Sequence, residues 1–196
     1  MWLVVGLGNP GSQYAKNRHN IGFRALELCA SRWGAGAMKE KFSGLWAKAS
    51  FAGEELVLLE PQTYMNLSGE SVQKAMAFFK VPLANVLVMH DELDLAWKDV
   101  RIKVGGGHAG NNGIRSIMQH CGADFVRVRM GIGKPPRGTT ESWVLGDFDA
   151  MESAELPDVL HAAALAAEAV LQVGADAAMN KVHGKGGRGS NKPAKN

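Results

Sequence analysis

The chain has 196 residues, 46% hydrophobic and 21% charged, the composition of an ordinary globular protein large enough for one real core. Its opening MWLVVG is too short and uncharged for a signal peptide, and no run approaches the roughly 18 apolar residues of a membrane span. The net charge of +3 is unevenly spread: residues 98–137 hold eight Lys/Arg against Asp99 and Asp124, residues 181–196 hold five Lys/Arg and no acid, and the remainder is acidic, a footprint expected of a polyanion binder. In chain order, WLVV reads as a buried strand, and residues 20–33 as a helix with Ile21, Ala25, Leu28 and Cys29 at helical spacing. Residues 46–51 and 56–59 form a hairpin turning at Ala52-Gly53-Glu54. Ser68 is placed as the N-cap of a helix ending at Phe79. VLVM (86–89) and VRIKV (100–104) are strands, residues 113–121 a helix, and residues 125–133 a strand with Arg127 and Arg129 on one face. An Ala-rich helix covers about 155–173, a short one ends near Val182, and the Gly/Lys/Asn/Pro stretch after His183 is expected to be disordered. The expected fold is α/β: one domain, 1–183, built on a mixed, mostly parallel sheet flanked by helices on both faces, followed by a basic tail, 184–196.

Gly6, Gly8 and Gly11 in VVGLGNPG spell G-x-G-x-x-G, the dinucleotide fingerprint. The fingerprint requires a helix opening directly behind it and an acid about 20 residues on at the end of a second strand. SQYAKNRHN follows instead, the nearest acid, Glu27, lies in the expected helix, and Pro10 stiffens the loop. These glycines are therefore expected to serve another purpose. Cys29 and Cys121 have no metal or redox spacing, which fits a reducing cytoplasm.

In open α/β sheets ligands bind beyond the carboxyl ends of strands. Polar clusters follow four of the expected strands: Asn9; Tyr64, Met65 and Asn66; His90, Asp91, Glu92 and Asp94; and, in GGGHAGNNG, His108, Asn111 and Asn112. His19 is the natural general base, and Asp91 is the best-placed carboxylate to fix its tautomer. Asparagines suit the rest of such a site, since each offers donors and an acceptor without charge. A divalent metal on His90, Asp91, Glu92 and Asp94 with His19 or His108 is a rival reading. Alternation along a strand separates His90 from Asp91, and no H-x-x-x-H or H-E-x-x-H pair is present.

The blocks VGLGNPGSQYAKNRHNIGF, PQTYMNLSGESV, VMHDELDL, GGGHAGNNGIRSI and RVRMGIGKP occur in that order, and together they resemble the bacterial-type peptidyl-tRNA hydrolase family over nearly the whole chain. The resemblance implies a monomer on a mixed sheet that needs neither cofactor nor metal. It implies cleavage of the ester joining a peptide to the terminal ribose of tRNA, which frees stalled peptidyl-tRNA, with recognition of the acceptor stem and 3′ end. It places the catalytic histidine at His19 and its orienting aspartate at Asp91. Asn9 and Asn66 would hold the peptide, and Asn112 would position the water or stabilise the intermediate. Tyr14 and Met65 would pack around the ester or terminal adenosine. Lys103 and Arg129 match a clamp for an acceptor-end phosphate.

Three positions depart from the family pattern. Asn17 stands where Thr is expected, Asn111 where many members have His, and Glu60 where Lys is frequent. Asn111 raises the question of how the Gly-rich loop meets the acceptor stem without that possible cation. Two other classes stay open at this point. One is a noncatalytic RNA-binding relative, as in plant organelle splicing factors on this scaffold. The other is a nucleotide-dependent oxidoreductase using the opening motif.

Overall fold

The computed structural model describes residues 1–183; the basic tail and its expected disorder lie outside the described residues. Seven strands form one sheet in the order β2-β3-β4-β1-β5-β7-β6. They are β1 (Trp2–Gly6), β2 (Lys39–Lys41), β3 (Gly44–Phe51), β4 (Glu54–Pro61), β5 (Val86–Glu92), β6 (Val100–Val104) and β7 (Val126–Gly131). The four central strands β4, β1, β5 and β7 pair in parallel, while the β2–β3 and β3–β4 pairings on one side and the β6–β7 pairing on the other are antiparallel. The mixed sheet is as expected, with its parallel part confined to the centre.

The helices are α1 (Ile21–Arg32), α2 (Ser68–Phe79), α3 (Asn112–Cys121), α4 (Thr140–Val144), α5 (Ala150–Val173) and α6 (Ala175–His183). Strand alternation sends Val4, Leu58, Leu87, Met89 and Val128 to the face covered by α1, α5 and α6. Leu3, Val5, Val57, Leu59 and Val88 go to the other face, under α2 and α3. α5 is long and apolar enough to cross a membrane, yet more than half of its most apolar stretch is buried inside the protein.

The opening glycines serve packing. A Cβ on Gly6 would stand 2.5 Å from the Gly22 carbonyl, and one on Gly8 would stand 2.6 Å from the Phe23 ring. They let α1 lie against the end of β1, and two 3-10 turns, Ser12–Tyr14 and Arg18–Asn20, separate the motif from α1. The β3–β4 hairpin turns through Ala52 (φ 52°) and Gly53 (φ 81°), so Glu54 already belongs to β4.

Several expectations are corrected. Ser68 is the first residue of α2, not its cap; Leu67 takes that position, and the Ser68 hydroxyl donates to the Met65 carbonyl at 2.7 Å. β5 runs three residues further than VLVM, so His90, Asp91 and Glu92 lie on the strand itself. α5 begins five residues before position 155. Asp149 accepts from the Glu152 N–H at 2.8 Å and donates its own N–H to the Glu152 carboxylate at 2.9 Å, a reciprocal cap. β2 and α4 are additional elements.

Glu60, at the end of β4, is only 6% exposed, and burial together with the Glu27 carboxylate pushes its pKa up to about 7. In the unfolded chain a glutamate ionises near its ordinary value of about 4.3. Folding therefore takes up a proton between those two values, and stability falls as pH rises through that window and stays lower above it. Glu60→Gln is expected to raise Tm at pH 8 by several degrees and to narrow the Tm difference between pH 5 and pH 8, as read by thermal unfolding. An unchanged difference would show that Glu60 ionises freely in the folded protein.

Candidate active site

The carboxyl ends of β1, β4 and β5 and the N-terminus of α3 surround a cavity of about 430 Å³. Asn9, His19, Met65, Asn66, Asp91 and Asn112 all line it.

His19 sits in the 3-10 turn Arg18–Asn20 immediately before α1 and is 8% exposed. Its Nδ1 lies 2.9 Å from both carboxylate oxygens of Asp91, which is 3% exposed. The pair is possible because α1 presses on the strand ends: a Cβ on Gly22 would meet the Met89 carbonyl at 2.4 Å and the Leu7 nitrogen at 2.6 Å. Burial disfavours charge on the imidazole, but the attraction and hydrogen bond of Asp91 outweigh it, so the His19 pKa lies above the ordinary histidine value. With Nδ1 committed to Asp91, Nε2 is the nitrogen left for the cavity. A histidine so held can take a proton from water, with the carboxylate stabilising the imidazolium that results.

The turn carrying His19 is tied to the far end of the chain. The Arg18 guanidinium lies 3.6 Å above the Trp143 ring and donates to Glu152 at 2.8 Å. Asn17, the residue found in place of Thr, donates through Nδ2 to Asp147 at 2.8 Å.

The carboxamides are aimed by their own hydrogen bonds. Asn9 Oδ1 accepts from the Met65 N–H at 2.8 Å, which leaves its NH₂ as the free group. Asn20 brackets the Asn9 backbone: its Oδ1 accepts from the Asn9 N–H and its Nδ2 donates to the Asn9 carbonyl, both at 2.9 Å. Asn66 and Asn112 are exposed within the cavity, Asn112 as the first residue of α3. Met65 is 4% exposed and forms cavity wall. Tyr14 is not brought into the lining; it is half-buried at the end of its 3-10 turn.

Lys103 and Arg129 also lie outside the lining, on β6 and β7. Lys103 pairs in register with Arg127, and Arg101 with Arg129, so all four project from one sheet face. Arg127 is 1% exposed and donates to the carbonyls of Gly105 and Gly107, which fixes the Gly-rich loop. Lys103 Nζ lies so close to that loop that a Cβ on Gly106 would come within 2.7 Å of it. Arg129 is anchored on one side by Glu92 at 3.4 Å.

His90 points away from Asp91, toward α3, with Nδ1 donating to the Asp91 carbonyl at 2.7 Å. Burial lowers its pKa to about 4, so it is neutral. Asp94 is turned to Lys134 at 3.5 Å. Among the described residues no three His, Cys, Asp or Glu side chains gather as a metal centre requires.

Three features were not foreseen from the sequence. Asn20 stood only as a helix start. Asn111 faces inward, 8% exposed, rather than toward a stem, and so answers the question raised by its departure from His. The third is a wall of the cavity formed by Thr140, Glu141, Val144 and Leu145 of α4 and the residue after it. The only sequence signal for α4 was the Thr139-x-x-Ser142 cap, which the structure shows closed in both directions.

A family model described as peptidyl-tRNA hydrolase matches residues 3–192. A peptidyl-tRNA hydrolase of Sorangium cellulosum is 54% identical over 184 residues, covering 92% of this chain and 82% of the relative. One from Geobacter sulfurreducens is 45% identical over 184 residues, covering 93% of this chain and 95% of the relative. The crystal structure of peptidyl-tRNA hydrolase from Acinetobacter baumannii superimposes with a TM-score of 0.86 at 38% identity, over 93% of this chain and 94% of that one.

Proposed function

The chain belongs to the peptidyl-tRNA hydrolase family and is an enzyme of that kind, and on this premise we propose that His19 is the general base of the ester hydrolysis and that Asp91 orients it. One observation carries the reading: Nδ1 of His19 lies 2.9 Å from both oxygens of a buried carboxylate, while the ring borders a cavity lined by four carboxamides.

Water between Nε2 and the ester carbonyl gives up its proton to His19 as it attacks. Asp91 stabilises the imidazolium. The oxyanion forms beside the Asn112 carboxamide at the N-terminus of α3, where its donor and the helix dipole favour negative charge. Collapse of the tetrahedral intermediate breaks the bond to the terminal ribose oxygen, and His19 returns the proton to that oxygen. Free tRNA and a peptide carboxylate leave. The NH₂ of Asn9, freed by the Met65 contact, donates to a peptide carbonyl, and Asn66 holds the same peptide. Met65 packs beneath the ester, and Tyr14 reaches the terminal adenosine from the rim. Lys103 and Arg129 take the acceptor-end phosphate. No step requires a cofactor, and the enzyme acts as a monomer in the cytoplasm.

His19→Ala is expected to lower kcat by about 10²–10⁴-fold with little change in tRNA affinity. Asp91→Asn lowers it less. The acid limb of the wild-type profile falls above the ordinary histidine value, because Asp91 favours the protonated ring. In Asp91→Asn that limb moves to lower pH. Single-turnover rates across pH check both; near-normal rates in His19→Ala would end the mechanism.

A free α-amine would set a charge against groups arranged for an amide. N-acylated aminoacyl-tRNA is therefore cleaved and free aminoacyl-tRNA largely spared, as measured by release of labelled amino acid. Equal rates contradict the assignment of Asn9 and Asn66.

Lys103→Ala combined with Arg129→Ala raises KM strongly for full-length peptidyl-tRNA and little for a minimal substrate without the acceptor phosphate. Deleting residues 184–196 leaves kcat unchanged and raises KM modestly, mostly at low salt. Steady-state kinetics at two salt concentrations separate the two. A larger cost from the deletion would move the tRNA-binding surface to the tail.

A further inference from the structure

We propose that Asn111 is a positioning residue for the His19–Asp91 pair, acting as a fixed donor that holds the Asp91 carboxylate and sets the basicity of His19; this rests on the assignment of His19 as the base. Asn111 is the N-cap of α3. Its Oδ1 accepts from the N–H groups of Gly113 at 3.0 Å and Ile114 at 3.1 Å. That double contact decides which way the carboxamide faces. Turned over, the NH₂ would meet two donors and the oxygen would meet a carboxylate. In the orientation observed, Nδ2 donates to Asp91 Oδ1 at 3.1 Å and approaches the Asp91 carbonyl at 3.4 Å.

Asp91 thus has two side-chain partners, and only Asn111 has a constant charge. A carboxylate this deeply buried needs donors in both protonation states of His19, and the amide supplies one throughout the cycle. Its donated N–H withdraws charge from Oδ1, the oxygen it shares with His19 Nδ1. Less charge on the carboxylate means less attraction for the imidazolium. Asn111 therefore keeps the His19 pKa lower than Asp91 alone would set it, and more of the base is free at a given pH.

The surroundings leave few competing influences. Titratable and charged groups next to the pair are His90, whose Nδ1 donates to the Asp91 carbonyl at 2.7 Å, Glu92 at the end of β5, Glu141 on α4 and Tyr64 at the cavity mouth. Arg18 is turned to Glu152, Arg129 to Glu92, and the first turn of α3 brings no acidic side chain. A histidine at this position would set a further imidazole to titrate next to the pair, whereas the amide does not titrate.

Capping and positioning can be separated, because Ser and Asp both cap helices well but neither reproduces the amide donor. Asn111→Ser removes the donor, and Asn111→Asp replaces it with a second negative charge. Both variants keep a helix cap, and Tm is expected to fall modestly in Asn111→Ser and further in Asn111→Asp, which sets a second carboxylate against Asp91. In both, the acid limb of kcat/KM and the NMR titration of His19 move to higher pH, further in Asn111→Asp. At pH 6 kcat/KM falls about threefold to tenfold, while KM for peptidyl-tRNA and the rate on the alkaline plateau change little. A His19 titration that superimposes on wild type in both variants overturns the proposal and leaves Asn111 a helix cap, whatever the change in Tm. The NMR titration does not depend on catalysis, so it reports on Asn111 even if His19→Ala shows that another group is the base.

Discussion

A buried histidine–carboxylate pair is the constraint around which the rest of this molecule is arranged. Taking a carboxylate out of water costs several kcal/mol unless it is met by donors in good geometry. Asp91 is met by His19 and Asn111, which reach it from different directions along the chain. Each approach has its own structural requirement. His19 comes within 2.9 Å because Gly22 has no side chain to hold α1 away from the ends of β1 and β5. Asn111 arrives because the Gly-rich loop is pinned at Gly105 and Gly107 by the buried Arg127. The central position of β5, between β1 and β7, keeps the carboxylate itself from moving. Packing at three glycines and one arginine is thus converted into the geometry of one hydrogen-bonded pair.

The surface divides by charge around this pair. The cavity presents carboxamides, which can hydrogen-bond without adding charge. The outer strands β6 and β7 present Arg101, Lys103 and Arg129. Lys103 lies against a glycine whose missing side chain makes room for it, so its ammonium is held near one place instead of sweeping the solvent. Carboxamides in the cavity and cations at a distance would suit a ligand that is neutral at one end and a polyanion at the other.

The residues most legible in the sequence were those whose place follows from strand ends. Asn9, Met65, Asn66 and Asp91 follow or close buried runs, and a parallel sheet gathers such ends along one edge, whereas Asn112 follows the antiparallel β6 and reaches that edge through the Gly-rich loop. His19 was legible from its chemistry and its position at a helix start. What escaped detection depends on tertiary contact. β2 is three exposed charged residues, Lys39, Glu40 and Lys41, with no apolar alternation, and it exists because it pairs with β3. α4 is five residues long, below the length at which apolar spacing carries a signal. The inward turn of Asn111 follows from two hydrogen bonds to its own helix and one to a strand 20 residues away, and spacing along the chain carries no trace of the second. Tyr14 sits in a motif block but was left outside the cavity by the 3-10 turn that carries it.

The anchoring of the turn that holds His19 bears on how such a protein can be made at all. Arg18 finds Glu152 across 134 residues of chain, Asn17 finds Asp147 across 130, and His19 finds Asp91 across 72. Synthesis proceeds from the other direction, and while it lasts every nascent chain is itself a peptide esterified to tRNA. An enzyme for that bond that became competent from its first hundred residues would be a hazard to its own translation and to that of its neighbours. Here the turn lacks its partners until the segment leading into α5 has been added. Domains close as units once their long-range contacts can form. The contacts that fix the His19 turn therefore close only late in synthesis, once residues 147–152 have been joined.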